Sequence, residues 1–233
     1  MEFIMTRIVF LAVLLSLGVS HLQAQTFVEG THYQRIEGPG AATDDRVEVI
    51  EAFAYPCGAC RNFLPHITSW EESMPDYVDF QRRPVPLQQG WEVFVMGYYT
   101  AQVMGLDMHE VHPAIFRAVH DERRRIRNLE DLAEIYTENS DSTAESFVNT
   151  AGSFAVDSHI RKNRSDLVKY GVRSTPTMIV QGKWRINPGA FESYDQMLAA
   201  VDFLVEREAE ALGLGSDPSD AVTEAPANGA AGD

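Results

Sequence analysis

The tightest constraint on this chain is Cys57-Gly58-Ala59-Cys60, two cysteines three residues apart where a strand-like run gives way to a helical one. They are the only cysteines among 233 residues. Upstream, Arg46 to Ala54 is rich in Val, Ile and Phe and is bounded by Asp44-Asp45 and Pro56, the pattern of a buried strand. Downstream, Phe63, Ile67 and Trp70 recur at helical spacing, so a helix opens at Cys57 and runs past Trp70. Cysteines at i and i+3 of a first turn share one face, with Cβ atoms about 5–6 Å apart. A disulfide can close there with little rearrangement.

The pair reads as chemistry. A zinc half-site needs about four ligands, and no second cysteine pair exists. A static local disulfide is the other alternative, but so short a loop removes little chain entropy. Unpaired N–H groups and the positive end of the helix dipole at Cys57 favour a thiolate. A lowered pKa would make Cys57 a good nucleophile and leaving group near neutral pH. Cys60, one turn in, is expected to be buried and to resolve or release a mixed disulfide. Tyr55-Pro56 suggests an extended approach to the helix.

The first residues read as an address. Arg7 precedes an apolar run from Ile8 to Val19, then a polar stretch and small Ala24, as in a secretory signal peptide. Residues 1–24 are therefore expected to be removed, leaving a mature chain from Gln25 in the periplasm. The apolar run is short of the roughly 20 residues that span a bilayer; an uncleaved anchor is the alternative. Exported proteins that use disulfides as staples usually carry several, which favours a redox role for a lone close pair. The net charge of -15 argues against a nucleic-acid partner and against an anionic membrane surface.

Periodicity along the rest of the chain alternates. His32 to Ile36 suggests a short edge strand, and Tyr77 to Val85 a second buried one ending in a proline-marked loop. From Trp91 to about Tyr170 the spacing is helical, with stripes at Trp91, Phe94, Val95 and Tyr98, at Val111, Ile115, Phe116 and Val119, and at Leu129, Leu132 and Ile135. Ser142-Thr143-Ala144-Glu145 offers a capping pattern before Phe147. Thr177 to Gln181 and Lys183 to Asn187 suggest a hairpin around Gly182, and Ser193 to Leu212 a closing amphipathic helix. Residues 213–233 are small and acidic, and a disordered tail is expected. The order implies a small α/β domain interrupted by a helical block.

Glu51-Ala-Phe-Ala-Tyr-Pro-Cys57-Gly-Ala-Cys60, together with Arg173-Ser-Thr175-Pro176-Thr177, resembles the thioredoxin superfamily. Pro65, five residues after Cys60, fits that pattern too. The long gap between Cys60 and Pro176 narrows the likeness to DsbA-type proteins, which insert a helical subdomain into a thioredoxin-like domain. The resemblance covers about residues 27–210. It implies an α/β fold with thioredoxin-like parts near 27–88 and 171–212 and a helical insertion near 89–170, within a domain spanning 25–212. It implies a thiol:disulfide oxidoreductase that oxidises reduced exported proteins, needs no cofactor or metal, acts as a monomer and is reoxidised by a DsbB-type membrane partner.

The carry-over is residue by residue. Pro176 matches the superfamily's cis-proline facing the disulfide, which leaves the backbone of Thr175 free to pair with a substrate strand. Gly58 and Ala59 would face the substrate between the cysteines. Glu51 matches the family's buried acid, whose raised pKa would let it shuttle the proton of Cys60; a salt-bridged strand residue is the alternative. Two departures stand out. Ala59 occupies the position where many DsbA proteins have His, and Thr175 resembles the choice of disulfide isomerases. A periplasmic reductase or isomerase, or a non-catalytic peptide-binding module, are the competing functions.

Two weaker signals remain. His109 and His112 lack the i, i+4 spacing of a zinc helix and read as surface histidines. Arg123-Arg124-Arg125 and Arg127 read as a solvated helix end.

Overall fold

The interior strand β2 (Val47–Phe53) is buried on both faces and organises everything else. Its residues alternate between two cores. Val47 and Val49 pack with Phe63, Ile67 and Trp70 of α1 (Gly58–Ser73) and with Met197, Val201 and Leu204 of α7 (Tyr194–Leu212). Ile50 and Ala52 face the other way, against Leu167 and Tyr170 at the end of α6 (Phe154–Lys169). Burying each large aliphatic side chain contributes about 1.5–3 kcal/mol relative to exposure. A charge at Val49 would therefore cost the junction between β2 and α1 directly.

The computed structural model describes residues 26–214 apart from residues 39, 42 and 44. The expected signal peptide, and the expected tail beyond Leu214, lie outside the described residues. The sheet runs β1-β5-β4-β2-β3. β3 (Val78–Pro84) lies parallel to β2 and is reached through α1. β4 (Thr177–Val180) and β5 (Trp184–Ile186) form the expected hairpin, with β4 antiparallel to β2. β1 (Tyr33–Arg35) is the edge strand the sequence suggested. Trp184 of β5 is anchored to α7 by its indole N–H, which donates to buried Glu208 at 2.6 Å.

Between β3 and β4 lie α2 (Glu92–Val103), α3 (Met108–His120), α4 (Leu129–Glu138), α5 (Ala144–Ala151) and α6. Side chains of Asp107, Asn128, Thr143 and Ser153 cap α3 to α6 by accepting an N–H in the first turn. Phe94, Tyr98, Ile115, Phe116, Leu132, Ile135 and Phe147 form a third core, into which Phe53 and Tyr55 insert from the strand side. This is the α/β, thioredoxin-like fold with an inserted helical subdomain that the resemblance implied. Among the described residues no helix is long and apolar enough to cross a membrane.

Three expectations need correction. The arginines at 123–127 are not a helix end: α3 stops at His120, and they occupy the connection to α4, where Arg124 pairs with Glu134 and Glu138. His112 is not a surface histidine but is 3% exposed, inside a cage of Phe53, Tyr55, Tyr98 and Phe116. Tyr55-Pro56 is not extended, because the Cys57 N–H reaches back to the Ala54 carbonyl at 3.1 Å and closes a turn.

Candidate active site

α1 begins because Cys57 is its N-cap, with extended backbone (φ -81°, ψ 114°) and a sulfur that accepts the Cys60 N–H at 3.4 Å. A cysteine thus takes the place usually held by Ser, Thr or Asp, and its sulfur receives a donor that the helix leaves unpaired. Cys57 is half-buried, Cys60 is 1% exposed, and both are free thiols here. Gly58 and Ala59 between them are exposed. The first turn therefore offers one sulfur to solvent and hides the other.

The two thiols are strongly unlike. The hydrogen bond from the Cys60 thiol, with a further one from the Thr175 side chain, holds the Cys57 thiol down to about 5 against the opposing effect of burial. The backbone N–H groups of Cys60 and Ala59 add to the shift. Cys60 moves far upward, because it donates to Cys57 and because it is buried. A thiol held near 5 is roughly a hundredfold in favour of thiolate at pH 7, so this is a nucleophile beside a protonated partner.

Thr175 and Pro176 close the site from the sheet side. The peptide bond between them is cis, Pro176 is buried, and the carbonyl of Thr175 accepts from Cys57 Sγ at 3.3 Å. The loop is held by the Thr177 hydroxyl, which donates to the Ser174 carbonyl at 2.9 Å. The pair Cys57 and Cys60 and the pair Thr175 and Pro176, more than a hundred positions from one another in sequence, are thus brought into one place.

Glu51 lies beneath. It is 2% exposed on the α1-facing side of β2, and burial pushes its carboxyl up to about 7 despite the Arg82 guanidinium beside it. Among the described residues its carboxyl has one hydrogen-bond partner, Arg82 Nε at 3.2 Å. No direct bond joins it to either sulfur among those residues. Arg82 also grips Glu71 of α1 with both Nη atoms, at 2.6 and 3.3 Å. Glu51 is thus both buried and salt-bridged.

Other residues at the site were not anticipated. Arg82 was legible only through register, for β2 and β3 set it directly opposite Glu51. Tyr194, the first residue of α7, donates its hydroxyl to the Ala59 carbonyl at 3.1 Å. Two histidines of α3 hold the turn before Cys57. The Tyr55 hydroxyl is hydrogen-bonded to His112 Nδ1 at 3.0 Å, and His120 Nε2 donates to the Tyr55 carbonyl at 2.7 Å. Among the described residues no group of three or more His, Cys, Asp or Glu side chains is arranged to hold a metal.

Comparison with known proteins agrees with this geometry. Residues 91–202 match the family described as DSBA-like thioredoxin domain. The thiol:disulfide interchange protein DsbA of Pseudomonas aeruginosa is 32% identical over 187 residues, 80% of this chain and 88% of that protein. A crystal structure of Pseudomonas aeruginosa DsbA superposes with a TM-score of 0.74 at 30% identity, covering 80% of this chain and 97% of the other. The oxidoreductase DsbA from Xylella fastidiosa gives a TM-score of 0.73 at 26% identity, with 80% and 100% covered.

Proposed function

The chain belongs to the DsbA-like thioredoxin-domain family, and from that premise we propose that it is a thiol:disulfide interchange protein oxidising cysteine pairs of exported proteins through Cys57 and Cys60. The observation that carries this reading is the asymmetry of the pair, an acidic half-exposed Cys57 at a helix N-cap against a buried, protonated Cys60.

In the oxidised form a substrate thiolate attacks Cys57 Sγ. A substrate–Cys57 disulfide forms, and Cys60 leaves with the electron pair and takes up a proton. A second substrate thiolate then attacks its own half of the mixed disulfide and expels Cys57 as a stabilised thiolate. The substrate has lost two electrons and the pair has gained them. Attack by Cys60 on Cys57 Sγ instead returns the substrate reduced, so a poorly nucleophilic, protonated Cys60 favours the forward direction. Glu51, with a carboxyl near 7, is the proposed acceptor and donor of the Cys60 proton, relayed through water because no direct bond joins them. With Cys57 in a disulfide, the Thr175 carbonyl beside it at 3.3 Å can accept from an extended substrate backbone. Gly58, Ala59 and Pro176 would form the rest of that contact.

The same proposal includes an export signal at residues 1–24, a domain spanning 25–212 with the helical insertion near 89–170, and a small acidic tail at 213–233. It further includes action in the periplasm as a monomer and reoxidation by a membrane protein of the DsbB type. The test is the equilibrium of the pair against glutathione, joined to refolding of a reduced disulfide protein. Refolding should accelerate with the oxidised wild type and not with Cys57→Ser. An equilibrium poised toward the protein disulfide under those conditions would make it a reductase instead.

A further inference from the structure

Tyr194 reaches into the redox motif from α7. Its ring lies against Phe63 and His66 of α1, with centroids 5.2 and 5.3 Å away. Its neighbour Asp195 binds His66 Nδ1 at 2.7 Å, and Ser193 caps α7 by accepting the Gln196 N–H. The first turn of α7 is thus clamped onto the first turns of α1. From there the Tyr194 hydroxyl donates to the Ala59 carbonyl at 3.1 Å.

That carbonyl shares a peptide group with the Cys60 N–H, and the Cys60 N–H donates to Cys57 Sγ at 3.4 Å. In a trans peptide the two groups point in opposite directions, so the hydrogen bonds run head to tail: hydroxyl to carbonyl, amide to sulfur. Hydrogen bonds in such a chain polarise and strengthen one another by roughly 10–30% per bond. Withdrawing density at the carbonyl makes the amide a better donor to a thiolate.

Resting on the function proposed above, we propose that Tyr194 is a positioning residue that sets the redox poise of the pair, polarising the Ala59–Cys60 peptide whose N–H holds the Cys57 sulfur. In this chain it supplies from the neighbouring helix part of the stabilisation that Ala59 cannot supply from within the motif. The Asp195 carboxylate beside it is engaged by His66 Nδ1 at 2.7 Å. Arg61, the other charge on the first turn of α1, is bound to Asp121 at 2.7 Å. The phenol is in turn pushed upward by burial and then by Cys60 and Cys57, consistent with its place beside both sulfurs.

The experiment compares wild type with Tyr194→Phe, which keeps the ring against Phe63 and His66, and with 3-fluorotyrosine in place of Tyr194, a stronger donor. Three quantities are measured in each reduced protein: the Cys57 thiolate pKa by ultraviolet absorbance, the glutathione equilibrium, and the Cys60 amide proton shift. Tyr194→Phe should raise the Cys57 pKa and make the pair about two- to threefold less oxidising, about 9–14 mV. The Cys60 amide proton should move upfield. The fluorinated residue should shift all three the other way, with the unfolding midpoint of both variants within a few degrees of wild type. Equal pKa and equilibrium in all three proteins would overturn the inference, and a shift in pKa with an unmoved Cys60 amide would overturn the route through the peptide. A wild-type Cys57 with an ordinary thiol pKa would instead overturn the proposed function itself.

Discussion

Arg82 donates from Nε to Oε2 of Glu51 across 3.2 Å, and the two residues stand directly opposite one another in the parallel register of β2 and β3. Arg82 is itself held by both carboxylate oxygens of Glu71 on α1, the helix that carries the cysteines. Glu51 is therefore tied to both its neighbouring strand and, through Arg82, to α1. Burial outweighs the guanidinium, which is why the carboxyl is pushed up to about 7 and not held below its ordinary value.

Glu51→Gln follows from that balance. An amide keeps the shape but cannot carry a proton, so turnover should slow and the inflection near pH 7 in the rate profile should vanish. Stability carries an independent sign. A carboxyl whose folded pKa lies above its unfolded value contributes stability when protonated, lost as pH rises from about 4.5 to about 7. The variant should gain on wild type by about 1.4 kcal/mol per pH unit across that window. Urea titrations at pH 4, 6 and 8 measure it, and parallel curves would show that Glu51 does not titrate there.

Alkylation of the reduced protein should follow a single group with a midpoint near pH 5, and mass mapping should find the label on Cys57. Because that thiol lies below its unfolded value of about 9, the reduced protein's added stability is fully present above that value and fades as pH falls toward 5. The gap in unfolding midpoint between reduced and oxidised forms should therefore widen as pH rises from 5 to 9. Label chiefly on Cys60, or a midpoint near that of a free thiol, would remove the basis for the proposed reaction.

The parts legible in the sequence were those fixed by local periodicity or by a covalent possibility. Val47, Val49, Ile50 and Phe53 mark a buried strand whatever surrounds them, and Cys57 with Cys60 mark a first helical turn that can close a disulfide. What was not legible depended on register or docking. The partner of Glu51 follows only once β3 is aligned, and the reach of Tyr194 to Ala59 only once α7 is laid on α1. His112 was a different case. It stands three and four residues before Ile115 and Phe116 and so belongs to the buried stripe of α3, but its polarity made it read as surface.

That buried histidine has a measurable consequence. Burial, and then the nearby Arg82 charge, hold His112 well below its ordinary 6.5, so it is neutral in the fold and takes up a proton on unfolding in acid. Its contribution is fully present above pH 6.5 and is lost below it at about 1.4 kcal/mol per unit. His112→Asn, which keeps an atom for the Tyr55 hydroxyl, should flatten that loss between pH 6.5 and 5. Tyr55→Phe should cost about 1–3 kcal/mol at pH 7 by leaving a buried ring nitrogen without its partner. Chemical denaturation across this range checks both, and an unchanged slope in His112→Asn would mean the ring is protonated or solvated in the fold.

The direction of the reaction turns on Ala59. Oxidising power comes from holding the reduced form, chiefly the Cys57 thiolate, and here that hold comes from the Cys60 thiol, the Thr175 side chain and two backbone N–H groups. None of them is a formal positive charge. Ala59 is exposed on the first turn of α1, so a histidine introduced there meets no buried neighbour and can place a ring N–H toward the sulfur. A charge-assisted hydrogen bond is worth about 1.5–3 kcal/mol, and for a two-electron couple 1.4 kcal/mol corresponds to about 30 mV. Ala59→His should therefore raise the potential by some tens of millivolts and lower the Cys57 pKa in step. The wild type should already lie well above the thioredoxin value of about -270 mV, because its Cys57 is held near 5 without that histidine. Glutathione titration of both proteins measures the pair of values. A wild-type potential as low as thioredoxin's would reassign the protein as a reductase, and a variant whose potential rises without a fall in Cys57 pKa would break the link between thiolate stability and oxidising power.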